Sequence, residues 1–443
     1  MSTLTILIVV VFCIGYLCIA LESLTKVNKA AIALLMCVLC WTLLMLDPIS
    51  YYPNFIGSDV LHHISDVIEH HLGDAAGTVL FLMGAMNIVE IVDSNGGFNF
   101  VRDTLKTRSK RKLMWRMAFM TFFLSAILDN LTTSIVMIMV LRKLVQSRND
   151  RLIYAALVVI SANSGGAFSP IGDVTTIMLW IKGVITTQGV LTEIFIPSLV
   201  SMLVPAFILQ YQLDGKFDKE QNLPKADVSM FTKSQRDIIF WLGVGGLCFV
   251  PIFKTITHLP PFMGILLVLG LLWTVTEIFH YSASDDDTMA KRVSDLLSRI
   301  DLSTIMFFLG ILMAVAVLQE VGVLTLLGGV LDSTFEGNHF LVTGIIGVLS
   351  SIVDNVPLVA GCMGMYPVAA TGDMAIDGIF WQLLAYCAGV GGSMLIIGSA
   401  AGVVVMGLEK ITFGWYMKRI TWVAFTGYIA GILVYWLERM LLF

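Results

Sequence analysis

Two short segments, 225 positions apart, place a carboxylate beside an amide in the middle of otherwise apolar sequence. The first reads Ser125-Ala-Ile-Leu-Asp-Asn-Leu-Thr-Thr133, the second Ser350-Ser-Ile-Val-Asp-Asn-Val-Pro357. A charge at membrane depth costs about 3 kcal/mol or more, and by default it marks an ion or proton pathway. Finding Asp129-Asn130 and Asp354-Asn355 at matching places in two halves points to a site built by duplication. That is the layout of a secondary transporter.

The setting is a membrane. Of 443 residues 57% are hydrophobic and 13% charged, and the mean hydropathy is +0.87. Apolar runs of roughly 18 residues or more, each long enough to cross ~30 Å of hydrocarbon, recur along the chain. A soluble domain is excluded, the lipid bilayer is the expected surrounding, and nothing suggests a nucleic-acid partner. The net charge of −5 carries little, because topology follows the placement of Lys and Arg rather than their sum. The segment 4–21 lacks a basic flank and a small-residue cleavage site, so it reads as a retained span. All seven cysteines lie in apolar sequence and read as packing.

Basic residues cluster at 106–116 and again at 142–151. Both clusters belong on the cytoplasmic face, yet only 117–141 lies between them. A re-entrant hairpin over 117–141 with Asp129-Asn130 at its tip satisfies both. In the second half acidic residues flank 340–365 instead, which predicts an oppositely directed hairpin entering from outside, with Asp354-Asn355 at its tip. Spans are then expected at 4–21, 28–46, 77–99, 152–181 and 190–213, and at 238–257, 261–281, 302–320, 378–408 and 413–437. Lys26, Lys29, the basic residues of 216–236 and 291–299, and Lys410 fall inside. The fold class is an all-α polytopic membrane protein: about ten spans, two hairpins and two broken helices. An odd number of spans per half makes it an inverted repeat, with the first repeat at 1–213, a cytoplasmic linker at 214–236 and the second repeat at 237–443.

Three further echoes keep the same register to within one residue. Phe81-Leu-Met-Gly84 matches Phe307-Phe-Leu-Gly310, Gly165-Gly166 matches Gly391-Gly392, and Ile171-Gly172 matches Ile397-Gly398. The span 152–181 is interrupted by Gly165, Gly166, Pro170 and Gly172, each poor in a helix interior. The span 378–408 is interrupted from Gly389 to Ser399. Broken helices expose backbone groups that transporters use to hold ions at mid-membrane.

The candidate ligands follow. Asp129, Asp173 and Asp354 are acidic, and no Lys or Arg occurs within the hairpin interiors or the broken stretches. Carboxylates, amides and hydroxyls suit small hard cations, whereas an anion site would want a basic group. A Na⁺ site is expected at Asp129, Asn130, Asp173, Asp354 and Asn355, joined by Thr132, Thr133, Asn163, Thr175 and Thr176. Glu90, Ser125, Ser164, Ser350, Ser393 and Ser399 are candidates for support or proton relay. A carboxylate in dry surroundings holds a proton more readily, so one site could take Na⁺ or H⁺ in turn. Asp129, Asp173 and Asp354 could also serve only as helix caps. The histidine-rich stretch 62–71 reads as a solvated surface helix, with pH sensing the less favoured alternative.

Taken together, the segments 125–133 and 350–357, Asn163 and Gly172-Asp173-Val-Thr-Thr176 resemble the NhaD-type sodium/proton antiporters of the ion transporter superfamily, over nearly the whole chain. The resemblance implies two hairpins and two broken helices around the cation, elevator-type motion against a scaffold, a homodimer and a bacterial inner membrane. It also implies an acidic residue in the span before the first hairpin, matched by Glu90. In the related anion symporters the hairpin tips read Ser-Asn-Thr; here they read Asp-Asn, which favours proton-coupled exchange of Na⁺ or Li⁺. No cofactor beyond the transported ions and no enzyme activity is expected. Sodium-coupled carboxylate uptake or oxyanion export is the alternative. An intramembrane aspartyl protease is remote, because it needs neither a third Asp nor mirrored halves.

Overall fold

Every regular element among the described residues is a helix. The computed structural model describes residues 2–20, 26–53, 55, 58–98, 104–105, 107–213, 215–217, 231–283, 301–352 and 354–442. Lys106, most of the linker and the basic residues of 291–299 lie outside the described residues.

The first half supplies α1 (Thr3–Ala20), α2 (Lys29–Met45), α3 (Ser58–Ser94), α4 (Lys110–Leu128), α5 (Asn130–Leu144), α6 (Arg148–Ala167), α7 (Val174–Lys182) and α8 (Phe195–Leu209). The second supplies α9 (Lys233–Thr257), α10 (Pro261–Ala283), α11 (Leu302–Glu320), α12 (His339–Ser350), α13 (Asn355–Met365), α14 (Ile379–Gly391), α15 (Ala400–Glu409) and α16 (Thr421–Leu442). Among the described residues four further α-helices, Pro48–Tyr51, Thr187–Glu193, Val323–Thr334 and Phe413–Arg419, occupy the connections. Each helix of the first half has its counterpart eight labels on.

Local chemistry sets many of these boundaries. Ser109, Asp129, Ser147, Asp173, Asn338, Asp354 and Ser399 cap the helices that follow them through side-chain oxygens, satisfying amide groups the first turn leaves unpaired. Thr232 and Gln235 form a capping box, so α9 begins four residues before the boundary expected at 237.

The halves also repeat their packing. Helix α1 lies on α2 as α9 lies on α10; α4 and α5 both pack on α6, as α12 and α13 pack on α14. Between halves the contacts are exchanged: α2 packs on α11 and α10 on α3, while α8 meets α16 and α6 meets α14. The result is two groups, one of α1–α3 with α9–α11, the other of α4–α8 with α12–α16. Glycines at echoed positions permit the close crossings. A Cβ on Gly310 would come within 2.8 Å of the Ala33 carbonyl carbon, and one on Gly84 would collide with Ile265.

Five helices among the described residues are long and apolar enough to cross a membrane alone: Asp59–Ser94, Phe195–Gln212, Lys233–Thr257, Pro261–Tyr281 and Leu302–Glu320. A sixth arises if Phe413–Arg419 and Thr421–Leu441, bent by 54°, are one span. Helix length therefore establishes a multi-pass membrane protein but not ten spans, since hairpin arms and broken halves are each short.

Two further boundaries differ from expectation. The predicted span 77–99 is the later part of a 37-residue helix that starts at Ser58, so the histidine stretch forms the first part of α3, helical with His62, Asp66, Glu69 and His70 exposed, as a solvated helix face requires. No proline interrupts it. Likewise Gly165 and Gly166 do not break α6, which runs to Ala167; the break lies at 168–173. Gly165 serves close approach instead: a Cβ there would lie inside the Phe122 carbonyl of α4, as one on Gly391 would at the Gly347 carbonyl of α12.

Candidate functional site

The helical breaks converge on one buried carboxylate. Asp173 caps α7, its Oδ1 accepting from the Thr175 backbone N–H and hydroxyl, each at 2.9 Å. Asn130, first residue of α5, donates from Nδ2 to Asp173 Oδ2 at 2.7 Å and to Asn163 Oδ1 at 3.1 Å. Asn355, first residue of α13, donates to Asp173 Oδ1 at 3.4 Å. Asn163 in turn donates to Ser393 Oγ at 2.9 Å and Ser399 Oγ at 3.0 Å. Amides at both predicted tips and hydroxyls of the second broken helix thus meet around Asp173. That side chain is buried, 1% exposed, and among the described residues it has no Lys or Arg partner.

Ser125 and Ser350 do the same job in the two halves. Ser125 Oγ donates to the Ala162 carbonyl at 2.6 Å, and Ser350 Oγ to the Ala388 carbonyl at 2.8 Å. Each pins the helix before a tip to the neighbouring broken helix, α6 or α14. Ser399 caps α15 where Asp173 caps α7, so the second half offers a neutral hydroxyl at the position of the first half's charge.

Other predicted residues stand further out. Asp129 closes α4 with φ +91°, a left-handed conformation that costs a non-glycine residue strain. It accepts from Thr132 N at 2.7 Å and from Thr132 Oγ1 at 2.9 Å. Thr133 Oγ1 is buried without a hydrogen-bond partner, and Thr176 Oγ1 reaches the Ala167 carbonyl only at 3.5 Å. Ser164 pairs with Ser201 of α8 at 2.8 Å. Glu90 accepts from Ser94 at 3.0 Å on α3, outside the cluster. Asp354 caps α13 and is salt-bridged to Lys29 at 3.1 Å. The three aspartates do not gather into one carboxylate cage: among the described residues no group of three or more His, Cys, Asp or Glu is placed to hold a metal ion. Sequence reasoning missed Lys29 and Ser201, because partners 325 and 37 residues away leave no local pattern.

A cavity of about 740 Å³ opens between α3, α11, α7 and α13, with His70, His71, Glu320, Met178 and Ala360 on its walls. His71 Nε2 lies 2.8 Å from Glu320 Oε1, and Tyr52 donates to Glu320 Oε2 at 2.6 Å. These contacts tie His71 to α11 through Glu320.

Comparison with known proteins bears on the identity of this arrangement. A family described as Citrate transporter matches residues 16–384. Sodium/proton antiporter 1 of Arabidopsis thaliana is 44% identical over 425 residues, covering 96% of this chain and 71% of its own length. Sodium/proton antiporter 2 of the same plant is 41% identical, covering 96% and 97%. The Na(+)/H(+) antiporter NhaD of Alkalimonas amylolytica is 31% identical over 466 residues, covering 97% and 90%. The chain belongs to the NhaD-type sodium/proton antiporter family. Plant and bacterial proteins both match this NhaD-type chain, and the plant ones at higher identity, so the expectation of a bacterial source is not supported.

Proposed function

We propose that this chain exchanges Na⁺, or Li⁺, for H⁺ across the membrane, with Asp173 as the group the two ions share. The observation that carries the reading is the set of amides around that buried carboxylate. An asparagine side chain offers two N–H donors on one side and a carbonyl oxygen on the other. Asn130, Asn163 and Asn355 now point donors at neighbouring oxygens. Rotated about the last side-chain bond, each presents oxygen to a cation. With Na⁺ gone and Asp173 protonated, the original bonds re-form. Hard oxygen donors suit Na⁺, and the exclusion of both ions at once is what couples their movements.

The relatives named as sodium/proton antiporters support this reading. In it, 117–141 and 340–365 are oppositely directed re-entrant hairpins of an inverted repeat, Asp129 and Asp354 mark their tips, and Glu90 lies on the proton route. The group containing α4–α8 and α12–α16 moves elevator-fashion against the scaffold group, and the protein works as a homodimer. Carboxylate uptake is the second reading, favoured by the family description alone; the want of a basic partner at Asp173 weighs against it.

The test is cation-dependent proton movement in everted vesicles carrying the protein, scanned over Na⁺, Li⁺ and K⁺. Na⁺ should collapse a preformed pH gradient, and Asp129→Asn and Asp173→Asn should each remove the response while the protein still inserts. Full activity in either variant contradicts the assignment of that residue, and a response to citrate with Na⁺ but not to Na⁺ alone establishes the second reading.

A further inference from the structure

Among the described residues two ion pairs join the scaffold group, α1–α3 with α9–α11, to the group that holds Asp173. One is Lys182 with Asp74; both side chains are more than half exposed, so solvent screens it. The other is Lys29 with Asp354 at 3.1 Å, and here both side chains are mostly buried. The lysine is fixed to the scaffold from behind. Asn28, which caps α2, is hydrogen-bonded through both ends of its amide to Ser303 in the first turn of α11. The Phe307 ring, also of α11, lies 4.2 Å from the Lys29 ammonium.

Asp354 and its neighbour act on different partners. Asp354 Oδ1 accepts from the Val356 amide at 3.3 Å, and Oδ2 takes Lys29. Asn355 reaches Asp173 at 3.4 Å, the longest of the bonds to that carboxylate. One tip therefore grips the scaffold with one residue and the ion site with the next. At the other tip Asn130 also reaches Asp173, but Asp129 has no basic partner among the described residues.

Electrostatics makes the grip depend on the site. The Lys29 ammonium is attracted by Asp354 and by the neighbouring charge of Asp173, and a Na⁺ or H⁺ on Asp173 cancels the second attraction. A one-site exchanger needs such a dependence. A moving group that crossed with neither ion bound would let each ion run down its own gradient.

We propose that Lys29 makes movement conditional on occupancy: its bond to Asp354 holds the two groups together while Asp173 is charged, and yields when either ion neutralises Asp173. This rests on the antiport and elevator parts of the proposed function. Linkage is reciprocal, so a lysine whose grip Na⁺ loosens must in turn weaken Na⁺ binding.

The test uses Lys29→Gln, with the exposed pair Asp74→Cys and Lys182→Cys as reporter of the orientation seen here. Both are placed in a cysteine-free protein and cross-linked in membranes with a short bifunctional maleimide. With Lys29 present, the yield in alkaline buffer should fall several-fold when Na⁺ replaces choline. With Lys29→Gln it should be low in both buffers, and ²²Na⁺ binding to the purified variant should tighten several-fold. Lys29→Arg, which keeps the charge, should behave as the parent. A Lys29→Gln yield that follows Na⁺ as the parent's does, or a Na⁺ affinity no higher than the parent's, overturns the proposal. So does a variant that no longer folds, since Lys29 would then be structural. A parent yield indifferent to Na⁺, in protein that still exchanges Na⁺ for H⁺, removes the elevator reading and the lock with it. Parent protein that moves no protons in response to Na⁺ removes the antiport reading, while a yield that still depends on Na⁺ and Lys29 would keep the lock.

Discussion

Asp173 has two duties, and they can be separated by one atom. It caps α7 and it carries the negative charge at the centre of the site. Asparagine caps a helix about as well as aspartate, so Asp173→Asn should leave thermal stability in detergent nearly unchanged while removing exchange. A fall in melting temperature matching the loss of activity would mean the carboxylate is only structural. Asn163 is a different kind of residue, bridging Asn130 of one half to Ser393 and Ser399 of the other. Asn163→Ala removes three buried hydrogen bonds, which should cost about 1–3 kcal/mol, read as a lower unfolding midpoint along with reduced exchange. Among these residues, most were legible beforehand because polar side chains amid apolar sequence have few roles. Lys29 was not, since its contact with Asp354 depends on how two distant elements pack.

The elements show where a sequence pattern speaks plainly and where it misleads. Both helix breaks beside an Asp-Asn pair fall where the sequence placed the tips, because a polar cap after an apolar run leaves the backbone an obvious place to stop. Gly165 was expected to interrupt α6, and instead it sits inside the helix against Phe122 of α4. Glycine at a crossing and glycine at a break look alike in sequence; only the neighbour distinguishes them. Gly165→Ala should therefore destabilise by about 1–3 kcal/mol through overpacking. Gly77→Ala on α3 meets nothing closer than Phe262 at 3.8 Å and should be neutral or slightly stabilising, as expected for alanine in a helix. Thermal unfolding of the two variants in the same detergent checks the contrast, and equal effects would refute the close-crossing role.

Across the whole molecule the two halves are tied by charge as well as by the site. Glu409 at the end of α15 is fully buried, taking Arg142 of α5 at 2.7 Å and Arg151 of α6 at 2.6 Å. Arg142 also donates to the Leu408 carbonyl. Because Arg142 is nearly half exposed, solvent screens part of this interaction. Glu409→Gln should still cost about 1–3 kcal/mol by leaving cations unmatched, measured as a lowered melting temperature, with Na⁺ binding retained because Asp173 is untouched. The central claim is that one buried carboxylate and its ring of amides hold Na⁺ and H⁺ by turns. Equilibrium ²²Na⁺ binding to the purified protein across a series of pH values measures this directly. Competition for one group predicts that apparent Na⁺ affinity falls as pH falls, with a limiting slope of about tenfold per pH unit, and that Asp173→Asn binds no Na⁺. An affinity that stays constant with pH, or survives in Asp173→Asn, would contradict it.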